Sequence, residues 1–207
     1  SYLRNKNADN FKSLLERLLQ STDSEFVMFC TDDGVFFDDV YLDDDVLNLI
    51  RINPLQTSYR LYVGENLNEF PQYIKRRIGQ SYIWNYYETG ETQLTHWTYP
   101  FAVDGTIYHT KSILSIIKKI PYHNPVTLES YGVSYVMKEK LLRIGIGPNT
   151  SRLVCTKLNR VSTCSDNPAI QISTEFLNQK FIDGFELDLE LPDKITNANI
   201  VPGRVFL

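Results

Sequence analysis

The sequence predicts an α/β fold in which helices cover a β-sheet. Apolar residues recur at helical spacing through residues 9–20, with Asp9 at the N-cap. A short apolar run without alternation then fills residues 25–30, as is typical of a strand that is buried on both faces. A helix followed by such a strand is half of a βαβ unit, so a sheet covered by helices is the expected architecture.

Further strands and helices are predicted along the rest of the chain. Strands are predicted at residues 58–63, 82–87, 96–99, 103–108 and 153–158. Helices are predicted after the acidic residues 43–45 and at residues 111–119, 124 onward and 175–181. Gly145, Gly147 and Pro148 predict a loop over residues 143–152. With no repeat and no clear linker, we expect one continuous domain over residues 1–207.

Composition narrows the class of protein. The chain has 207 residues, 43% of them hydrophobic and 22% charged, which is ordinary for a soluble globular protein with its own core. The formal net charge of -4 argues against nucleic acid as a partner. No apolar run is long enough for a transmembrane segment.

The number and spacing of the cysteines indicate whether the protein resides in a reducing or an oxidising compartment. Cys30, Cys155 and Cys164 are odd in number and widely spaced, which fits neither a disulfide framework nor a zinc pattern. We place Cys30 inside the first strand, where it would pack rather than react. A reducing compartment is the simpler interpretation, so we expect a cytoplasmic protein, either free or peripheral to a membrane.

The most informative motif is the pair Asp32-Asp33, directly after the first predicted strand. Ligands of open α/β sheets bind beyond the carboxyl ends of strands. Carboxylate oxygens there suit Mn²⁺ or Mg²⁺. The alternative interpretation is a turn that closes the strand, because Asp-Asp-Gly is a common turn sequence.

The order of motifs resembles the family-2-like, inverting glycosyltransferases of the GT-A fold. Residues 26–33 resemble the strand that ends in the acidic metal-binding motif. Residues 104–108 resemble the acceptor-side glycine segment, and residues 124–129 resemble the helix that carries the base. The resemblance spans roughly residues 5–140, with motifs that are short and specific mainly through their order.

This resemblance implies a partial GT-A-like (Rossmann-like) mixed sheet flanked by helices. The nucleotide-binding half of that fold has no counterpart in the sequence, so we expect a fragment of a longer chain with that half ahead of Ser1. It further implies a nucleotide-sugar donor and a hydroxyl acceptor on a glycan, a lipid or a protein. The reaction would be a metal-dependent sugar transfer with inversion.

The resemblance also suggests roles for individual residues. Glu129 would be the general base, with Asp104 as the second candidate, and Asp32 and Asp33 would hold the metal. Thr31 stands at the motif's usual first acidic position.

Donor and acceptor contacts complete the prediction. We expect Thr31 and Arg60 to contact the donor, Arg60 through a phosphate. The acceptor-binding candidates are Trp84, His96, Trp97 and Tyr99. Aromatic faces suit sugar rings, although core packing is the more frequent use of such residues.

Two other classes of function remain open. One is a non-catalytic carbohydrate-binding domain that uses aromatic platforms. The other is a structural or interaction domain in which Asp32-Asp33 only closes a turn.

Overall fold

The computed structural model describes residues 10–31, 34–67, 70–90, 95–156, 172–185 and 199–200. Asp32 and Asp33, the predicted metal ligands, lie outside the described residues. The predicted N-cap Asp9 and the third cysteine, Cys164, lie outside them as well. The first described helix begins after Asn10, which occupies the N-cap position without a side-chain cap.

Helices and strands alternate along the described part of the chain. The helices are α1 (Phe11–Ser21), α2 (Asp44–Ile52), α3 (Thr110–Ile117), α4 (Pro125–Glu139) and α5 (Thr174–Ile182). The strands are β1 (Phe26–Phe29), β2 (Gly34–Phe36), β3 (Thr57–Arg60), β4 (Arg76–Ile78), β5 (Ser81–Asn85), β6 (Thr106–His109), β7 (Ile144–Pro148), β8 (Leu153–Thr156) and β9 (Asn199–Ile200).

The larger sheet has six strands in the order β1-β6-β3-β7-β5-β4. Only β3 and β7 pair in parallel, and the other neighbours are antiparallel. A smaller sheet has the order β2-β8-β9, with an antiparallel and a parallel pair. The chain is therefore α/β, with a mixed sheet flanked by helices, which confirms the predicted fold class.

Two hydrophobic clusters lie on opposite faces of the larger sheet. The tryptophan cluster contains Trp84, Trp97 and Ile107 and receives α2. The helix cluster contains Tyr108 and the buried faces of α1, α3 and α4. Because neighbouring side chains of a strand point to opposite faces, Ile107 and Tyr108 on β6 separate the two clusters.

Strand β1 differs from its prediction in position. Its run is apolar on both faces, since Phe26 packs on the tryptophan cluster and Val27 and Phe29 pack on the helix cluster. It nevertheless lies at the edge of the sheet and pairs with β6 alone among the described residues. The prediction for Cys30 was wrong, because Cys30 follows the strand and is exposed.

The loop predicted over residues 143–152 was also wrong, because β7 is an interior strand there. Its glycines serve packing instead of a turn. An ideal Cβ at Gly145 would lie 2.3 Å from Cε2 of Trp84, and one at Gly147 would lie 2.5 Å from Cγ2 of Val63. The bulky neighbours fill the space that side chains at these positions would occupy.

Residues 96–99 form a turn, although a strand was predicted there. The backbone N–H of Thr98 donates to the carbonyl of Thr95 at 3.1 Å. The hydroxyl of Thr98 accepts from the N–H of Thr95 and so closes the same turn. These local bonds take the backbone groups that a strand would need for its ladder.

Candidate active site

Glu129 is positioned by the start of α4, which the sequence predicted correctly. Asn124 is the N-cap, and its Oδ1 accepts from the N–H of Thr127 at 2.8 Å. The Thr127 hydroxyl accepts from the N–H of Asn124 at 3.1 Å, which completes a capping box. Pro125 occupies the first helical position, and Leu128 is buried. The first turn is therefore fixed immediately before Glu129.

The Glu129 carboxylate is bound to the backbone beside Asp104. Its Oε1 accepts a hydrogen bond from the N–H of Val103 at 3.1 Å. Burial raises the pKa of Glu129 above its usual value, and the nearby Asp104 raises it further. The Val103 N–H, the Arg60 charge and the hydroxyl of Tyr99 act in the opposite direction without cancelling the shift of the pKa.

Asp104 lies beside Gly34, the residue that follows the predicted metal ligands in sequence. An ideal Cβ at Gly34 would lie 3.4 Å from Oδ1 of Asp104. The N–H of Gly34 donates to the carbonyl of Thr31 at 3.3 Å, and these two residues flank Asp32 and Asp33 in sequence. Asp104 therefore lies beside Gly34, and Glu129 is bound to the residue that precedes Asp104.

Two buried oxygen atoms at this place form no hydrogen bond with the described residues. They are Oδ1 of Asp104 and Oγ1 of Thr31. The other oxygen of Asp104, Oδ2, accepts from the thiol of Cys155 on β8. Buried polar atoms are normally paired, so these two oxygens stand out as atoms with free capacity to bind a donor or a cation.

The segment from residue 101 to residue 106 is held rigidly around Asp104. The hydroxyl of Tyr108 donates to the carbonyl of Ala102 and accepts from its N–H, each at 2.8 Å. Gly105 has a φ of +54°, and its N–H donates to the carbonyl of Phe29 at 2.8 Å. Only glycine adopts this φ readily, so the residue beside Asp104 allows β6 to meet β1.

Sequence reasoning missed Tyr108 and Cys155 as parts of this site. Tyr108 carried a signal, since it lies four residues after Asp104 on the strand that was predicted there. Cys155 carried none, because the β2–β8 pairing that brings it opposite Gly34 joins distant parts of the sequence.

Arg60 does not have the position that a phosphate ligand requires. Its side chain is only 1% exposed, and Nη1 donates to the carbonyls of His96 (2.8 Å) and Tyr99. Its guanidinium carbon lies 4.6 Å from the ring centroid of Tyr62. The predicted donor contact at Arg60 is therefore replaced by contacts within the protein.

The aromatic candidates separate into two groups. Trp84 and Trp97 are buried in the tryptophan cluster with ring centroids 5.0 Å apart, and Nε1 of Trp84 donates to the carbonyl of Trp97 at 2.9 Å. Their faces are used in core packing, which was the alternative interpretation. Tyr99 and His96 are partly exposed. Burial raises the pKa of Tyr99, and the neighbouring Glu129 raises it further.

The metal prediction stays a prediction. Among the described residues, no group of three or more His, Cys, Asp or Glu side chains is placed to hold a metal ion.

The described helices include none that is long and apolar enough to cross a bilayer. Comparison of the chain with models of protein families, with curated protein sequences and with solved structures finds no match.

Proposed function

We propose that the protein transfers a sugar from a nucleotide sugar to a hydroxyl acceptor, with inversion and with the help of Mn²⁺ or Mg²⁺. One observation carries the proposal. Three segments far apart in sequence bring together Glu129, Asp104 and the residues Thr31 and Gly34, which flank Asp32-Asp33 in sequence. Glu129, Asp104 and the pair Asp32-Asp33 are the acidic positions that the motif order assigns to the base, the acceptor side and the metal.

Glu129 is the base in this proposal. It removes the proton from the acceptor hydroxyl while the oxygen attacks the anomeric carbon of the donor. The bond to the diphosphate breaks on the opposite face, so the anomeric configuration inverts. A carboxylate whose pKa is raised by burial is a stronger base than an exposed one, and the Val103 N–H fixes its orientation.

Asp104, Thr31 and the acidic pair Asp32-Asp33 fit a divalent metal by the chemistry of their side chains. Oδ1 of Asp104 and Oγ1 of Thr31 are buried without a partner among the described residues, and both residues, like Asp32 and Asp33, offer oxygen ligands of the kind that Mn²⁺ and Mg²⁺ take. Asp32 and Asp33 would hold the ion. When bound, it supplies positive charge that stabilises the departing diphosphate.

The finer fold assignment belongs to the same proposal. A GT-A arrangement places a nucleotide-binding half beside the strand that leads to the acidic motif. Strand β1 leads to Thr31 and has one edge that pairs with nothing among the described residues. We assign that edge to strands of the nucleotide-binding half.

The two alternative functions have less support. A carbohydrate-binding domain without catalysis would present aromatic faces to solvent, whereas Trp84 and Trp97 are 6% and 2% exposed. A purely structural domain gains nothing from a buried carboxylate with a raised pKa, because burial of that charge costs stability.

The test combines ligand binding with turnover in the full natural chain. Mn²⁺ together with UDP or GDP should raise the melting temperature more than either alone, because ligands of the native state stabilise it. Glu129→Gln should lower sugar transfer by roughly 10²- to 10⁴-fold while donor binding persists. Asp33→Ala should abolish transfer and the response to the metal.

Glu139→Gln provides a matched control, since Glu139 is an exposed residue at the other end of α4. It should transfer sugar at the wild-type rate. Wild-type activity in both Glu129→Gln and Asp33→Ala would refute the proposed function.

A further inference from the structure

Strand β8 brings two side chains of one face onto the segment that carries Asp104. Leu153 and Cys155 are two residues apart on β8, so their side chains point to the same face of that strand. An ideal Cβ at Gly105 would overlap Cδ2 of Leu153, and the thiol of Cys155 donates to Oδ2 of Asp104. The smaller sheet therefore contacts the chain immediately before β6 of the larger sheet.

The register of the smaller sheet fixes the position of Cys155. In the β2–β8 pair, Cys155 lies opposite Gly34. An ideal Cβ at Gly34 would lie 3.4 Å from Oδ1 of Asp104 and 3.4 Å from Cδ1 of Leu153. Gly34 therefore lies beside one oxygen of the Asp104 carboxylate, and Cys155 lies beside the other.

The two carboxylate oxygens of Asp104 differ in their partners. Oδ2 accepts from the thiol of Cys155, whereas Oδ1 is buried without a hydrogen-bond partner among the described residues. The backbone here is fixed separately. The Thr106 hydroxyl donates to the Asp104 carbonyl at 3.1 Å, and the N–H of Gly105 donates to the carbonyl of Phe29 at 2.8 Å. The thiol thus determines which oxygen of the carboxylate stays unpaired.

We propose that Cys155 is a positioning residue, whose thiol holds Oδ2 of Asp104 so that Oδ1 stays beside Gly34 and open to a divalent cation. The role in metal binding rests on the proposed function, whereas the hold on the carboxylate does not. Cys155 acts through Asp104 and contacts neither the metal nor the substrate. Partners that orient a metal ligand in this way change metal affinity by roughly 10- to 100-fold when they are removed.

The first test is spectroscopic and requires neither metal nor turnover. The infrared S–H stretching band of a thiol moves to lower frequency when the thiol donates a hydrogen bond, and the Cys155 band is assigned by its loss in Cys155→Ser. Asp104→Ala removes the acceptor and should move this band to higher frequency. Asp45→Ala is the matched control, since Asp45 is an exposed carboxylate in the first turn of α2. It should leave the band in place.

The second test measures the affinity for Mn²⁺ in the full natural chain, through the electron paramagnetic resonance signal of the free ion. Cys155→Ala removes the donor and should weaken Mn²⁺ binding by roughly tenfold or more. Cys155→Ser supplies a hydroxyl donor at the same place and should recover most of the affinity. If Cys155 served packing alone, serine would have no advantage over alanine. Glu139→Gln should bind Mn²⁺ with wild-type affinity, because Glu139 is exposed.

A Cys155 band that does not move in Asp104→Ala would overturn the proposal, and so would unchanged Mn²⁺ affinity in Cys155→Ala. If these variants do not fold, the wild-type protein decides. Its native spectrum should contain an S–H band below those of the unfolded protein, because a carboxylate is a strong acceptor. The absence of such a band would refute the hold on Asp104. A wild type that shows the band but binds no Mn²⁺, even with UDP or GDP, would refute the proposed function and the metal role, and would support the hold on Asp104.

Discussion

The Tyr108 hydroxyl pairs with both backbone polar groups of Ala102: it donates to the Ala102 carbonyl and accepts from the Ala102 N–H. Tyr108 is 1% exposed and stacks on Phe101 with ring centroids 5.7 Å apart. The pair joins β6 to the segment that leads to Asp104, so the Tyr108 hydroxyl contributes to the position of that carboxylate.

Tyr108→Phe should therefore destabilise the protein by about 2 kcal/mol or more, because two buried backbone groups lose their partner. Urea unfolding measures the change. Tyr131→Phe is the control, since Tyr131 is 43% exposed on α4 and should show a change near zero. Equal stability of Tyr108→Phe and the wild type would contradict the described pair.

Gly145 and Gly90 offer a contrast between crowding and strain. At Gly145 a Cβ would overlap the indole of Trp84, and Gly145→Ala should cost about 3 kcal/mol through overpacking. Gly90 has a φ of +74° with no described atom within 4 Å of its Cβ position, and Gly90→Ala should cost about 1 kcal/mol through backbone strain. Thermal unfolding ranks the two variants, and the reverse order would be inconsistent with this packing.

The buried carboxylate of Glu129 should make stability depend on pH. Its pKa in the folded state is raised above the usual value of 4.5, so the folded state keeps the proton to higher pH than the unfolded chain. The wild type should therefore lose stability relative to Glu129→Gln as pH rises from 4.5 through the raised pKa. The total difference in stability is about 1.4 kcal/mol for each unit by which the folded-state pKa exceeds 4.5, and it is constant at pH values above the raised pKa.

Urea unfolding of both proteins at several pH values between 4 and 8 measures this difference. Glu139→Gln should follow the wild type throughout, because Glu139 is exposed. A difference that does not vary with pH would show that Glu129 titrates normally.

The capping box of α4 gives a further prediction. Asn124→Ala removes the side-chain acceptor of the Thr127 N–H and should cost about 1 kcal/mol in the free energy of unfolding. Asn124→Asp keeps an acceptor at the same place and should cost much less. Because the cap fixes the turn before Glu129, the alanine variant should also broaden the Glu129 carboxyl resonance. Identical unfolding curves for the two variants would rule out the cap.

The parts of the fold that the sequence predicted are those set by local chemistry. Asn124 and Pro125 are a cap and a first-turn residue whatever surrounds them, and α4 begins there. The acidic residues Asp43, Asp44 and Asp45 likewise open α2. Both signals lie within a few residues of the feature that they predict.

The parts that failed depend on contacts between distant residues. Gly145 indicated a loop because glycine is common in loops. Its packing role depends on the contact with Trp84, which the sequence does not show. Arg60 suggested a phosphate ligand because the sequence cannot show that its side chain is buried or that two carbonyls 36 and 39 residues later accept from its Nη1. The same reason hid Cys155 from the site, whereas Glu129 and Asp104 were named through the order of motifs.

The two tryptophans of the chain, Trp84 and Trp97, are neighbours in one cluster. Their fluorescence therefore follows only the sheet face that packs against α2. On the other face α1 and α3 carry no tryptophan or tyrosine, and α4 carries only the tyrosines Tyr131 and Tyr135. If the face that carries α1, α3 and α4 unfolds first, the tryptophan emission will keep its native value while the circular dichroism signal of the helices already decreases. The interval between the two curves measures how independently the two faces of the sheet unfold.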